Sequence, residues 1–124
     1  MLRVLVADDC HDTAETFAIL ATAWGHEAEV AFDGISALAR AESLHPDVVL
    51  LDIDMPGLTG PEVARRLRAG TGARPWLVAV TGLHPSTLTR EDAEPFDCRL
   101  DKPVEPSHLA ALLAAVEGAT KGRP

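Results

Sequence analysis

Four short segments set residues fit for phosphoryl chemistry directly after apolar runs. Asp8-Asp9 follows RVLVA, and Asp52, with Asp54 two places on, follows DVVLL. Thr81-Gly82 follows WLVAV, and Asp101-Lys102-Pro103 follows Cys98-Arg99-Leu100. Three or four carboxylates crowded together repel one another unless a cation sits among them. Oxygen donors alone suit Mg²⁺, a hard ion that keeps some of its waters and bridges carboxylates to phosphate. A hydroxyl and an ammonium beside such a cluster can hold the oxygens of a phosphoryl group. Lys102 stands out, because the only other lysine is Lys121 near the end of the chain. A compact ammonium on a flexible stem acts as a point charge for phosphate.

These residues meet only if the segments before them are parallel strands. Arg3 to Ala7 reads as a buried strand. Asp12 and Glu15 form a D-x-x-E capping signal, and Ala14, Phe17, Ala18, Ala21 and Trp24 follow at helical spacing up to Gly25. Glu27 to Phe32 is a weaker strand. Asp33 caps a short helix with Ile35, Leu38 and Ala39, ended by Pro46. Asp47 to Leu51 is almost all apolar, as in a strand covered on both faces. Pro61 lies in the first turn of a helix with Val63, Ala64 and Leu67 on one face. Trp76 to Val80 and Cys98 to Asp101 are further strands. Pro106 opens a last helix, with Leu109, Leu112, Leu113 and Val116 on one face. Five strands alternating with helices predict a doubly wound α/β domain with a parallel sheet. Ligands then bind beyond the carboxyl ends of the strands, where the four segments lie.

Composition narrows the function. A chain of 124 residues fits one domain, placed at 1–117 with a frayed tail over 118–124. The formal charge of −8 argues against direct nucleic-acid or anionic-membrane binding, which needs basic patches. No apolar stretch is long enough to span a bilayer, and Asp8-Asp9 interrupts the first apolar run too early for a signal peptide. Cys10 and Cys98 cannot form a secreted-type disulfide framework, so the cytoplasm is the expected compartment. The five histidines show no metal-ligand spacing.

The constellation resembles the receiver domain of bacterial response regulators, from about residue 2 to 116. VLVADD at 4–9 resembles the acidic pair, and VVLLDIDMPGLTG at 48–60 the phosphoacceptor segment. VAVTG at 78–82 resembles the switch threonine, and DKP at 101–103 the lysine and its proline. The resemblance implies a flavodoxin-like receiver fold with strand order 2-1-3-4-5. It implies phosphorylation of Asp52 by a histidine kinase, a phosphotransfer protein or a small acyl phosphate. Asp9, Asp52 and the backbone carbonyl of Asp54 would bind Mg²⁺ directly, and Asp8 through water. Lys102 would pair with a phosphoryl oxygen. Thr81 would turn toward it, and the surface of strands four and five would switch to control a downstream protein. Such a domain promotes only its own phosphorylation and dephosphorylation and is not an enzyme acting on other substrates.

Two features depart from that pattern. Residues 85–95 encode the fourth helix poorly, since prolines bound the segment and only Leu88 and Ala93 offer an apolar face. Arg99 occupies the place usual for an aromatic or histidine, and is expected to stay outside or to pair with an acid such as Glu91 or Asp92. Two other functions fit parts of the sequence. Asp52-Ile53-Asp54 resembles the D-x-D motif of haloacid-dehalogenase-type phosphatases, with Asp54 as general acid. A receiver-like scaffold acting without phosphorylation is the second.

Overall fold

A computed structural model describes residues 1–70, 74–82 and 88–121. In chain order the elements are β1 (Arg3–Ala7), α1 (His11–Ala23), β2 (Glu27–Ala31), α2 (Gly34–Leu44), β3 (Val48–Asp52), α3 (Gly60–Ala69), β4 (Trp76–Thr81), α4 (Arg90–Ala93), β5 (Cys98–Asp101) and α5 (Pro106–Lys121). All strand pairs are parallel, and the order is β2-β1-β3-β4-β5, as the resemblance implies.

Strand periodicity divides the core in two. Val4, Val6, Val48, Leu50, Val78 and Val80 face one side, where they pack with Phe17 of α1 and Leu109 and Leu113 of α5. Leu5, Ala7, Val49, Leu51 and Leu77 face the other, with Ala37 and Ala41 of α2 and Val63 and Ala64 of α3. β3 lies at the centre and every one of its residues is buried, which explains its uninterrupted apolar run.

Several boundaries differ from the sequence reading. α1 starts at His11 with Cys10 as N-cap and no side-chain cap bond, so Asp12 is not the cap. Its charge falls inside the first turn, where it complements the helix dipole. β2 ends one residue early, at Ala31. Asp33 caps α2 as expected, accepting from the Ser36 N–H at 2.7 Å. α3 has a capping box that the sequence reading passed over: Thr59 accepts from the Glu62 N–H, and Glu62 accepts from the Thr59 N–H. α4 is a single turn with no buried residue, in keeping with the weak fourth helix. Residues 85–87 of that segment lie outside the described residues. α5 continues to Lys121, four residues into the expected tail, and 122–124 lie outside the described residues.

The start of β5 is held by α3. The Arg68 guanidinium donates to the Pro95 carbonyl at 3.1 Å, the Pro75 carbonyl at 3.4 Å and Asp97 at 2.6 Å. Asp97 also accepts from the Leu77 N–H at 2.7 Å. Removing a charged donor from such a partly buried network costs about 2 kcal/mol. Arg68→Ala is therefore expected to lower stability by about 2 kcal/mol in denaturant unfolding. Arg40→Ala removes an exposed pair with Glu29 and is expected to cost under about 0.5 kcal/mol. Equal losses would show that the Arg68 network adds nothing beyond an ordinary surface pair.

Candidate functional site at the carboxyl edge of the sheet

Register brings the chemistry-bearing residues to one edge. Ala7 pairs with Leu51, so Asp8 and Asp52 come level on neighbouring strands. Asp52 pairs with Val80, and Thr81 with Asp101. Thr81 is therefore one strand from Asp52, and Lys102 follows on the next strand. The lysine is carried over this edge by its stem, which passes Gly82: a Cβ there would stand 3.9 Å from both Cβ and Cδ of Lys102. Its backbone N–H donates to the Thr81 carbonyl at 2.8 Å, and the Lys102–Pro103 peptide is cis.

The Lys102 ammonium lies 3.1 Å from Asp8 Oδ2 and 3.6 Å from Asp52 Oδ1. Asp8, Asp52 and Thr81 are buried, whereas Asp9 is exposed. The other Asp8 oxygen, Oδ1, accepts from the Cys10 N–H at 2.9 Å, which ties the acidic pair to the start of α1. Burial pushes the Asp52 carboxyl up to about 7, and the neighbouring charge of Asp8 adds to the rise against the opposing pull of Lys102. Burial works against the Lys102 charge, yet hydrogen bonding to Asp8 and the charge of Asp52 hold its ammonium above the ordinary lysine value.

Oxygens of Asp8, Asp9 and Asp52 lie within 4.8 Å of one another. With all three ionised, they carry three negative charges against the one positive charge of Lys102. The difference matches a divalent cation, and an all-oxygen donor set suits Mg²⁺. The residues present therefore fit that ion. Asp54 is exposed, and its carboxylate is not part of the cluster.

Gly60 is the least visible contributor. As the first residue of α3 it lies against the backbone of the acidic residue: a Cβ there would stand 2.3 Å from the Asp52 carbonyl oxygen. In the sequence, Gly60 is visible only as part of the segment resembling the family. Arg99 stays exposed and pairs with an acid, as expected, but with a different one. It pairs with Asp101 at 3.1 Å and not with Glu91 or Asp92, because residues two apart on a strand share a face and Asp92 is engaged by Arg65. Cys10 and Cys98 are both free thiols.

Comparison with known proteins agrees with this geometry. The family model of the response regulator receiver domain matches residues 4–114. The DNA-binding response regulator MtrA of Mycobacterium tuberculosis (strain ATCC 25618 / H37Rv) is 37% identical over 114 residues, covering 91% of this chain and 49% of MtrA. This chain thus spans about half the length of that relative. Among solved structures, a CheY-like receiver domain from Methylobacillus flagellatus is 29% identical with a TM-score of 0.85, over 94% of this chain and 98% of that one. The chemotaxis response regulator CheY4 of Vibrio cholerae is 28% identical with a TM-score of 0.86, over the same shares. Fold, strand order and nearly the whole length of sequence converge, and the chain belongs to the response regulator receiver domain family.

Proposed function

We propose that this receiver domain accepts a phosphoryl group on Asp52 from a histidine kinase or phosphotransfer protein and passes the signal to a partner protein. The observation that carries the reading is the placement of Lys102 between two buried carboxylates, in a site with three carboxylate oxygens within 4.8 Å. An Asp52 oxygen attacks phosphorus, the new acyl-phosphate P–O bond forms, and the donor's P–N bond breaks with its electron pair returning to the imidazole. Transfer of this kind depends on alignment and charge neutralisation more than on covalent chemistry supplied by the protein. Asp9 and Asp52, with the Asp54 carbonyl, would hold Mg²⁺, and Asp8 would act through water. Bound there, the ion supplies positive charge that keeps Asp52 ionised and offsets the phosphoryl oxygens. Lys102 exchanges its carboxylate partners for a phosphoryl oxygen, and the Thr81 hydroxyl turns toward the same group. A groove of about 520 Å³ lined by Asp12, Thr16, Phe17, Lys102 and Val104 opens beside the lysine.

The readout is a shift between two arrangements of the surface around β4 and β5. Receiver domains of response regulators are signalling domains, and turnover of other phosphate esters is no part of this proposal. The relatives named DNA-binding are about twice as long as this chain. With a net charge of −8, this domain itself is proposed to contact protein and not nucleic acid. No helix among the described residues is long and apolar enough to cross a membrane, and a cytoplasmic location is proposed.

Calorimetric titration with Mg²⁺, without and with fluoroberyllate as a phosphoryl mimic, tests the reading. One site is expected, tightened by fluoroberyllate. Asp9→Ala is expected to weaken Mg²⁺ binding roughly tenfold or more, and Asp8→Ala to weaken it less. Unchanged affinity in Asp9→Ala, or no tightening by fluoroberyllate, would contradict it.

A further inference from the structure

α4 is the one helix among the described elements with no buried residue. Its four residues are tied internally by Thr89, which accepts from the Asp92 N–H at 3.0 Å. Side chains of α3 bond to it and to the residues that follow it. Arg68 fixes the far end through Pro95 and Asp97. Arg65, one turn earlier on α3, reaches α4 itself, donating from Nη2 to the Glu91 carbonyl at 3.0 Å and to Asp92 Oδ1 at 3.4 Å. The two attachments differ in strength. Arg68 makes three bonds with its side chain about one quarter exposed, whereas Arg65 and Asp92 are both nearly half exposed. An exposed pair holds weakly and breaks readily.

Arg65 and Asp92 also line a cleft of about 360 Å³ together with Ile53, Asp54 and Leu88. α4 is therefore tethered beside a gap that reaches the two residues after Asp52. It also lies on the chain segment between Thr81 and Lys102, the two groups that would grip a phosphoryl group on Asp52. Rearrangement of either one pulls on that segment.

We propose that Arg65 is a latch: it holds α4 in its resting position against α3, and its release, with Arg68 remaining as the hinge anchor, accompanies phosphorylation of Asp52. The inference rests on the phosphoacceptor reading above and assigns a regulator to that site. A ligand or modification shifts a two-state equilibrium only through interactions that differ between the states. The Arg65 bonds belong to the resting state, so their loss favours the other.

The test compares wild type, Arg65→Ala, Asp92→Ala, the double variant and Arg40→Ala. Two readouts are used: hydrogen exchange at the amides of Ala93, Glu94 and Phe96, and the initial rate of labelling by a small acyl phosphate with Mg²⁺. Arg65→Ala is expected to speed both by about two- to fivefold, the range open to an exposed pair. Asp92→Ala is expected to give a smaller rise, because the Glu91 carbonyl remains as a partner, and the double variant to match Arg65→Ala. Arg40→Ala is expected to change neither. Faster exchange with unchanged labelling would overturn the coupling, and no change in either readout would overturn the latch. Absence of labelling in wild type would instead overturn the phosphoacceptor reading and this inference with it, so the two failures are told apart.

Discussion

Gly60→Ala is expected to destabilise the domain by about 3 kcal/mol, lowering its melting temperature by on the order of 10 °C. The added Cβ would stand 2.3 Å from the Asp52 carbonyl oxygen and 3.0 Å from both the Asp52 carbonyl carbon and Ile53 Cα. All three are backbone atoms of a fully buried central strand and its exit, so no flexible side chain can yield. Either α3 moves out or the Asp52 backbone moves in. The Gly60 N–H also donates to the Ile53 carbonyl at 3.0 Å, and that bond would lengthen. Gly57→Ala is the matched comparison. Gly57 has φ +77° with open space around its would-be Cβ, so only backbone strain of about 1 kcal/mol applies. Thermal unfolding of both variants checks the claim, and a Gly60→Ala protein no less stable than Gly57→Ala would refute it.

Asp52→Asn is expected to stabilise the metal-free protein at pH 8 by about 4 kcal/mol. Burial and the charge of Asp8 raise the folded carboxyl to about 7 from an ordinary 3.8. The folded state therefore binds more protons than the unfolded state between those values. Stability from this group is complete below the unfolded value and is lost as pH rises through the folded one. Asparagine resembles the protonated form at every pH and escapes the loss. The advantage of the variant is expected to shrink as pH falls from 8 toward 4. Mg²⁺ is expected to narrow it at pH 8, since the ion would stabilise the wild type through Asp52. Urea unfolding across this range decides. A variant less stable than wild type at pH 8 would mean that the attraction of Lys102 outweighs burial.

Most of the fold was legible because its signals are periodic or local. The apolar run of β3 announced a central strand, and Asp33 and Gly25 marked helix ends by their own geometry. The capping box at Thr59 and Glu62 was equally local and readable from the T-x-x-E spacing. The start of α1 was misplaced because D-x-x-E is an ambiguous signal: an aspartate serves as a cap before the helix or as a dipole partner within it. The meeting of Asp8, Asp52 and Lys102 was legible only through topology, since Asp8 and Lys102 are separated by most of the chain. What stayed hidden depends on tertiary distance. No pattern in sequence shows that Gly60 touches the Asp52 backbone, that Arg68 clamps the start of β5, or that Arg99 prefers Asp101 on its own strand.

Asp52 is the proposed phosphoacceptor. Intact-mass measurement after incubation with a small acyl phosphate tests it most directly, run on wild type and Asp52→Asn with Mg²⁺ and with chelator. One phosphoryl group per chain is expected on wild type in Mg²⁺, prevented by chelator and absent from Asp52→Asn at every time point. Equal labelling of wild type and Asp52→Asn would contradict it.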